Sequence, residues 1–235
     1  MNEIGVAFSM ALNLIWTFDS ALAEIVGLSL GVSISAVALA TLIGMPLGAA
    51  VAMLKFPGRG ALEVTLNAMM GLPPVVVGLV VYLMLSRAGP LGVFGLLYTP
   101  TAMIIAQVLL VTPIIAALTR QVVFDLWGEY AEQLTSLGAT PTRALPTLLI
   151  DGRYSLFTAV LAGFGRATAE VGAVMIVGGN IDHVTRVMTT AIALEVSKGD
   201  LALALALGMV LVLISVSIGA LASGVKSRFE RRARA

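Results

Sequence analysis

The residues best placed to do chemistry in this sequence are Arg166 and Glu170, an oppositely charged pair inside a long apolar stretch. Because they stand four positions apart, a continuous helix would carry both on one face, within reach of each other. An ionised side chain within a membrane span is costly and normally faces the interior of a helix bundle or a wet cavity. Two interpretations follow: the pair lines or braces a polar path, or it is a structural ion pair that holds helices in register.

A second group of candidates lies in the polar stretch 129–143, where the pattern indicates two short helices that meet at a corner. Gly138 stands where the first helix would end, because glycine readily adopts the left-handed C-cap conformation. Pro141 suits the first turn of the second helix. Glu132 and Arg143 flank the bend. Such a rigid, charged corner either docks into a groove of another protein or caps the bundle.

Other patterns that could carry chemistry are weaker. The glycine-rich segment 163–168 resembles a dinucleotide-binding loop, but it stands in an apolar stretch with no preceding strand. His183 is the only histidine, and with Asp182 it offers too few ligands for a metal site. We expect it in an exposed loop. The sequence has no Walker loop and no cysteine, so we expect no catalytic residue, metal or cofactor.

Long uncharged stretches must position these residues. Across 235 residues the hydrophobic fraction is 59%, the charged fraction 11% and the mean hydropathy +1.02. An ordinary soluble domain does not have this composition. The uncharged stretches exceed the roughly 20 residues that a helix needs to cross a membrane, and they lack the alternation of a β-barrel. The sequence therefore predicts an all-α integral membrane protein.

We predict five transmembrane helices in a single domain. They occupy residues 25–54, 64–85, 101–118, 156–178 and 201–223. Pro73 and Pro74 stand in the middle of the second span, where they remove two hydrogen-bond donors and force a kink. The spacings Gly27/Gly31 and Gly44/Gly48 in the first span allow another helix to approach closely.

Three of the segments outside the predicted spans have an expected role. Residues 1–20 are expected to form an amphipathic lead-in, with a frayed tail as the alternative. No basic segment begins them, which argues against a cleaved signal peptide. Residues 120–153 form a loop that carries the corner. Residues 226–235 form a basic tail that suits an anchor at a lipid surface.

The basic residues predict the orientation, because lysine and arginine accumulate on the cytoplasmic side. A cytoplasmic C-terminus places most of them inside: Lys55, Arg59, Arg120, Arg143, Arg153, Lys226, Arg228, Arg231, Arg232 and Arg234. Arg87, Arg186 and Lys198 then lie outside. We predict the N-terminus out and the C-terminus in, with the loop between spans three and four in the cytoplasm.

The corner resembles a known family. Glu132, followed by Gly138 and Ala139, is similar to the "EAA" loop of binding-protein-dependent ABC importer permeases, the segment that docks on the ATPase subunit. The chain departs from the family pattern at 133–134, where Gln and Leu replace two alanines, and at 150–151, where Ile-Asp replaces a closing Leu-Pro.

The resemblance extends through most of the chain. Residues 72–76 and 87–92 are similar to the second span and following turn of molybdate and sulfate permeases. Residues 165–173 and 178–180 are similar to the fourth-span region of the same group. The wording of residues 169–181 is most similar to that of tungstate permeases.

The resemblance implies a multi-pass permease subunit of the inner membrane, in an ATP-driven importer for an oxyanion, with tungstate expected and molybdate or sulfate open. Implied partners are two ATP-binding subunits, a second copy of the chain, an extracytoplasmic oxyanion-binding protein and membrane lipid, with no nucleic acid. The implied ATPase-coupling residues are Glu132, Gly138, Ala139, Pro141 and Arg143. The expected translocation path includes Pro73, Pro74, Arg166, Glu170 and Asn180.

An importer of this kind is expected to work by alternating access, with ATP hydrolysis on the separate subunits. The alternative is a self-sufficient channel or secondary transporter for an anion, and a membrane-embedded enzyme is a more distant third. The sequence leaves open which oxyanion is carried, which residues line the pore and whether the anion regulates the ATPase.

Overall fold

The computed structural model describes the backbone of residues 3–233 and the side chains of residues 5–224. Within that range the chain is helical and contains no strand, which confirms the predicted all-α class. The helices are α1 (Glu3–Trp16), α2 (Ser20–Met53), α3 (Arg59–Met70), α4 (Pro74–Leu85), α5 (Pro100–Ser136), α6 (Pro141–Asp151), α7 (Arg153–Thr168), α8 (Gly172–Gly178), α9 (Met188–Lys198) and α10 (Leu201–Ala233). A short 3₁₀ helix, Gly92–Phe94, lies between α4 and α5.

Three helices are long and apolar enough to cross a membrane: α2, α5 and the Leu201–Gly224 part of α10. The pairs α3 with α4 and α7 with α8 qualify only when each pair is taken as one span across its break. The described part of the chain therefore holds three to five candidate spans. This confirms a helical membrane protein and leaves the number five as a proposal.

The predicted kink in the second span is a complete break in the helix. α3 ends at Met70 and α4 begins at Pro74. Pro73 has an extended backbone (φ −62°, ψ 122°), and its carbonyl accepts a hydrogen bond from the Val76 N–H at 3.0 Å. Proline lacks the donor that would continue α3 and restricts the residue before it. The adjacent prolines thus end one helix and begin the next.

The predicted end of the third span does not coincide with a helix end. We expected a loop after residue 118, but α5 continues without interruption to Ser136. Polarity begins at Arg120, whose Nη1 lies 2.9 Å from Glu63 Oε1. Residues 119–136 contain no proline, so nothing there forces a helix to stop. The rise in polarity marks the edge of the apolar stretch, and the helix passes through it.

Sequence patterns do not predict α9, which lies between the predicted fourth and fifth spans. Its buried residues include Met188, Thr190 and Glu195. The Met188 N–H donates to Ser29 Oγ at 2.6 Å. A short helix with β-branched threonines in its first turn has little intrinsic stability. Tertiary contacts of this kind hold it in place.

The chain divides into two compact units, each with its own core. The first comprises the described residues up to Ala36, Pro73–Gln107 and Arg166–Ser217. Its core contains Ala11, Leu22, Ile25, Met188, Ala191, Ala206 and Leu207. α1 belongs to it and lies within the residues expected to form the lead-in: Ala11 is buried, whereas Trp16 is 87% exposed. That apolar exposure suits contact with lipid.

The second unit comprises Val37–Leu72, Val108–Gly165 and the described residues from Ile218 onward. One of its cores contains Ala49, Ala52, Met53, Val123, Ala144 and Leu148. The predicted close approach is confirmed at Gly44 and Gly48. A Cβ on Gly44 would lie 3.0 Å from the Thr112 carbonyl oxygen, and one on Gly48 would overlap the Ala116 carbonyl oxygen. In the described part of the chain nothing lies within 4 Å of a Cβ built on Gly27 or Gly31, so no helix of the chain approaches there. The basic tail predicted at 226–235 lies outside the described side chains.

Candidate functional site

The corner begins at the C-terminal end of α5, in the second unit. The Gly138 N–H donates to the Thr135 carbonyl and the Ala139 N–H to the Leu134 carbonyl, each at 2.9 Å. Gly138 has φ +78°. This pair of bonds around a left-handed residue is the Schellman C-cap, and it confirms the predicted helix end. The helix that ends there is α5 itself, so the separate short helix expected before Gly138 does not exist.

The second half of the corner is α6, which begins at the predicted Pro141. The Ala144 N–H donates to the Thr140 carbonyl at 2.9 Å, which closes its first turn. One side of α6 is anchored, because Ala144 and Leu148 are each 1% exposed. The opposite side is presented to the exterior.

The predicted coupling residues lie along the end of α5, the turn after it and the start of α6. Glu132, Gly138, Pro141 and Arg143 are exposed, and Ala139 is half-buried. Leu137 is 83% exposed beside them, and a cavity of about 390 Å³ lies between the end of α5, the end of α6 and Arg153. Sequence analysis did not single out Leu137, although an exposed leucine at a helix end is a typical contact residue.

The Arg166–Glu170 pair lies in the first unit. Arg166 Nη1 is 2.6 Å from Glu170 Oε2, so the predicted ion pair is present. The expectation that one continuous helix carries both residues is wrong, because α7 ends at Thr168 and α8 begins only at Gly172. Glu170 therefore stands in a break between two helices.

The Glu170 carboxylate serves two groups at once. Oε2 pairs with Arg166, and Oε1 accepts the Ala173 N–H at 3.1 Å in the first turn of α8. Its side chain is 4% exposed, whereas that of Arg166 is 34% exposed. The geometry thus makes Glu170 a buried anchor of the break. Arg166 pairs with it through Nη1 and is itself partly exposed.

Two side chains from other helices bond to the backbone that the break frees. Gln107 Nε2 donates to the Ala167 carbonyl at 3.1 Å, and Thr189 Oγ1 donates to the Glu170 carbonyl at 2.8 Å. In a membrane such carbonyls need protein or water partners. Sequence analysis missed both residues. For Gln107 a signal existed, since it is a lone amide in the apolar stretch 101–118.

α4 and α8 pack side by side, which places two helix breaks near each other. A Cβ on Gly78 would lie 2.7 Å from Ala173 Cα, and one on Gly172 would lie 2.7 Å from Val75 Cγ2. The predicted path residues Pro73 and Pro74 begin the first of these helices. The structure therefore brings the prolines and Glu170 into one region.

Asn180 follows the end of α8. It has a left-handed backbone (φ +51°) after Gly179, and its Nδ2 donates to the Thr190 carbonyl at 3.4 Å. This contact ties the chain after α8 to α9. Its part in a translocation path stays a prediction.

His183 is exposed, as expected, but it is not isolated. Its Nδ1 lies 2.8 Å from Glu24 Oε2, and its side chain is 72% exposed. The hydrogen bond and the charge of Glu24 raise the pKa of His183, and Asp182 adds to the effect. Among the described residues no three potential ligands come together to hold a metal ion.

Comparison with known proteins identifies the class. No family model matches the chain. It is 42% identical over 185 residues to a probable anion ABC transporter permease protein of Haloferax volcanii, covering 77% of this chain and 80% of the relative. It is 43% identical over 200 residues to the tungstate uptake system permease protein TupB of Peptoclostridium acidaminophilum, covering 85% and 88%. The chain belongs to the ABC transporter permeases.

A more distant similarity agrees with this. The permease is 28% identical over 153 residues to the sulfate transport system permease protein CysT of Salmonella typhimurium, covering 62% of this chain and 55% of the relative. The permease is accordingly a multi-pass subunit of the inner membrane and not an enzyme. A separate ATPase subunit hydrolyses ATP, and an ATPase and a binding protein are its partners. The alternative of a self-sufficient channel or secondary transporter is set aside.

Proposed function

We propose that this permease imports tungstate in preference to molybdate and sulfate. The observation that carries the proposal is its similarity to the tungstate permease TupB, which extends over 85% of this chain. The test is uptake by vesicles that contain the permease, its ATPase and its binding protein. Tungstate uptake should require ATP and should resist an equal concentration of molybdate or sulfate. Equal competition by molybdate would contradict the preference for tungstate.

We propose a five-span topology with the N-terminus outside and the C-terminus inside. In it, α3 with α4 and α7 with α8 each form one broken span. Support comes from the basic residues, most of which fall on the cytoplasmic side in this arrangement. It also comes from the side-chain bonds to Ala167 and Glu170, because a break inside a bilayer needs such internal partners.

We propose that the corner around Gly138 couples this permease to its ATPase. The predicted coupling residues are exposed, while Ala144 and Leu148 anchor the same helix in the second unit. A partner that moves α6 would therefore move packed core residues with it. Co-purification tests this: the ATPase should be retained by wild type and lost when exposed corner residues are replaced.

We propose that Arg166 lines the anion path and that Glu170 positions it. A third of the Arg166 side chain is exposed, while its Nη1 pairs with the buried carboxylate. A guanidinium presents several donors in a fixed plane and suits a passing oxyanion. The competing interpretation is a purely structural ion pair, in which the loss of both charges together would leave transport intact.

The working assembly that we propose contains two permease copies, two ATPase subunits and one binding protein. A paired arrangement about a two-fold axis is the commonest symmetry of oligomers. A few spans from one copy are also too few to enclose a gated path. Native mass spectrometry of the purified complex tests the copy numbers. A complex with a single permease copy that transports tungstate would contradict them.

A further inference from the structure

A small polar cavity lies in the first unit, beside the break between α7 and α8. Its volume is about 10 Å³. Its polar lining consists of Ser29, Ser33, Gln107, Thr168, Glu170 and Thr189. Each of these residues is at most 9% exposed. So many polar groups inside apolar helices require either a full set of internal hydrogen bonds or a bound molecule.

Gln107 shows that the internal hydrogen bonds are incomplete. It is 4% exposed, and its Nε2 donates to the Ala167 carbonyl at 3.1 Å. Its Oε1 has no hydrogen-bond partner among the described protein groups. Turning the amide over does not help, because Oε1 would then face the carbonyl oxygen of Ala167. The acceptor needs a donor that the protein does not supply.

We propose that the cavity binds one water molecule, which donates a hydrogen bond to Gln107 Oε1. A volume of about 10–15 Å³ is the lower limit for holding a single water. Bound waters also need two to four polar partners, and the lining supplies them. Ser29 Oγ already accepts the Met188 N–H at 2.6 Å, so its hydroxyl proton is available to the water.

A monovalent cation of similar size suits this site less well. Glu170 is the charged side chain among the described residues that line the cavity. Its carboxylate is already paired with Arg166 at 2.6 Å and with the Ala173 N–H at 3.1 Å. A cation would therefore bring an uncompensated charge into a buried site. A neutral water brings none.

The water would complete the hydrogen bonding around the break. Gln107 holds the Ala167 carbonyl at one end of the break, and Glu170 holds the Ala173 N–H at the other. With the water bound to Oε1, Gln107 can keep this position without the cost of a buried, unpaired acceptor. The inference concerns the break alone and does not depend on which anion is carried.

The first test replaces Ser33 with residues of two sizes in the intact complex. Ser33→Val adds a methyl group that fills the cavity and expels a water. If the water is present, the unfolding midpoint should fall by about 2–4 °C, because Gln107 Oε1 loses its donor. The control, Ser33→Ala, leaves room for the water and should change the midpoint less. Filling a dry cavity would raise the unfolding midpoint. An unchanged or higher midpoint for Ser33→Val would therefore overturn the proposal.

A double variant and a density map separate the water from a general packing defect. Gln107→Leu removes the acceptor that the water would serve. In that background Ser33→Val should therefore cause no further fall in the unfolding midpoint. An equal loss in both backgrounds would contradict the proposal. If Ser33→Val does not assemble, a map of the wild-type complex that resolves buried waters decides the question. We expect density within about 3.2 Å of Gln107 Oε1; a site without density, in a map that shows other buried waters, would refute it.

Discussion

The two partners of the Arg166–Glu170 ion pair differ in burial. The carboxylate is buried and bonded on both oxygens, whereas the guanidinium is a third exposed. Removing Arg166 alone strands a buried charge, and breaking a buried pair in this way costs about 3–5 kcal/mol. A loss of transport in that variant would not separate an anion path from a structural ion pair.

The double variant Arg166→Met with Glu170→Gln separates them. Glutamine removes the charge but keeps an oxygen for the Ala173 N–H, which Glu170→Leu would leave without a partner. We expect normal yield of the complex and normal ATPase binding, with uptake reduced about tenfold or more, because the path loses its positive site. The measurement is uptake per intact complex in vesicles. Uptake equal to wild type would leave the structural interpretation standing.

His183 provides a pH-dependent contact between α2 and the chain after α8. Because Glu24 raises the pKa of His183, the protonated form is favoured in the folded protein. The stabilisation is complete below the unfolded value of about 6.5, and it is lost as the pH rises through the raised pKa.

Thermal unfolding between pH 5.5 and pH 8 measures this contribution. The wild-type midpoint should fall with rising pH relative to that of His183→Asn, a variant that also tolerates the left-handed backbone (φ +57°) at this position. Parallel curves for the two proteins would show that the contact with Glu24 does not contribute.

Local chemistry in the sequence was sufficient to predict where single residues end or begin helices. Gly138, Pro141 and the prolines at 73–74 act through their own backbones, so their positions could be read directly. Gln107 and Thr189 could not be found in this way. They act on carbonyls 60 and 19 residues away, and only the tertiary structure brings these groups together.

At the level of elements, the junction of α5 and α6 depends on one left-handed residue. Gly138 has φ +78°, and no atom lies within 4 Å of a Cβ built on it. A substitution there meets no steric obstacle, so its cost is conformational. The cost is about 1–2 kcal/mol for an ordinary residue, and a β-branched side chain is disfavoured further.

We therefore expect Gly138→Val to misdirect α6 and to reduce ATPase co-purification several-fold, while the permease still inserts into the membrane. Gly138→Asn should be close to wild type, because asparagine tolerates this conformation. The matched control is Gly128→Val, at an exposed site within α5 that also has open space around a Cβ. Full ATPase binding by Gly138→Val would remove the coupling role from this corner.

The extents of the elements were harder to predict than their breaks. Hydropathy located the apolar part of α5 but not its end at Ser136, because the helix outlasts the apolar stretch. Hydropathy also failed to predict α9. Its threonines and Glu195 are polar, which is typical of an exposed connection, but they are buried. Both errors arise because hydropathy reports the surroundings of a segment and not its hydrogen bonding.

For the whole molecule, the proposed orientation can be tested by labelling. The chain contains no cysteine, so single cysteines report their own position without background. Ala88 and Thr142 are both exposed, and the five-span topology places them on opposite sides. We expect a membrane-impermeant reagent added outside the cell to label Ala88→Cys at once. Thr142→Cys should react only after the membrane is permeabilised. Labelling of both from the outside would contradict the topology.

The break at Glu170 also constrains the order in which the protein can be made. α8 has seven residues, about 10 Å of helix at 1.5 Å per residue, which is too short to cross a bilayer of about 30 Å. The partner of the Glu170 carbonyl, Thr189 Oγ1, lies on α9 and leaves the ribosome later than α8 does. Until α9 arrives, that carbonyl must rely on water or lipid headgroups. We therefore expect the hydrogen bonds of the break to be completed only after α9 has been made.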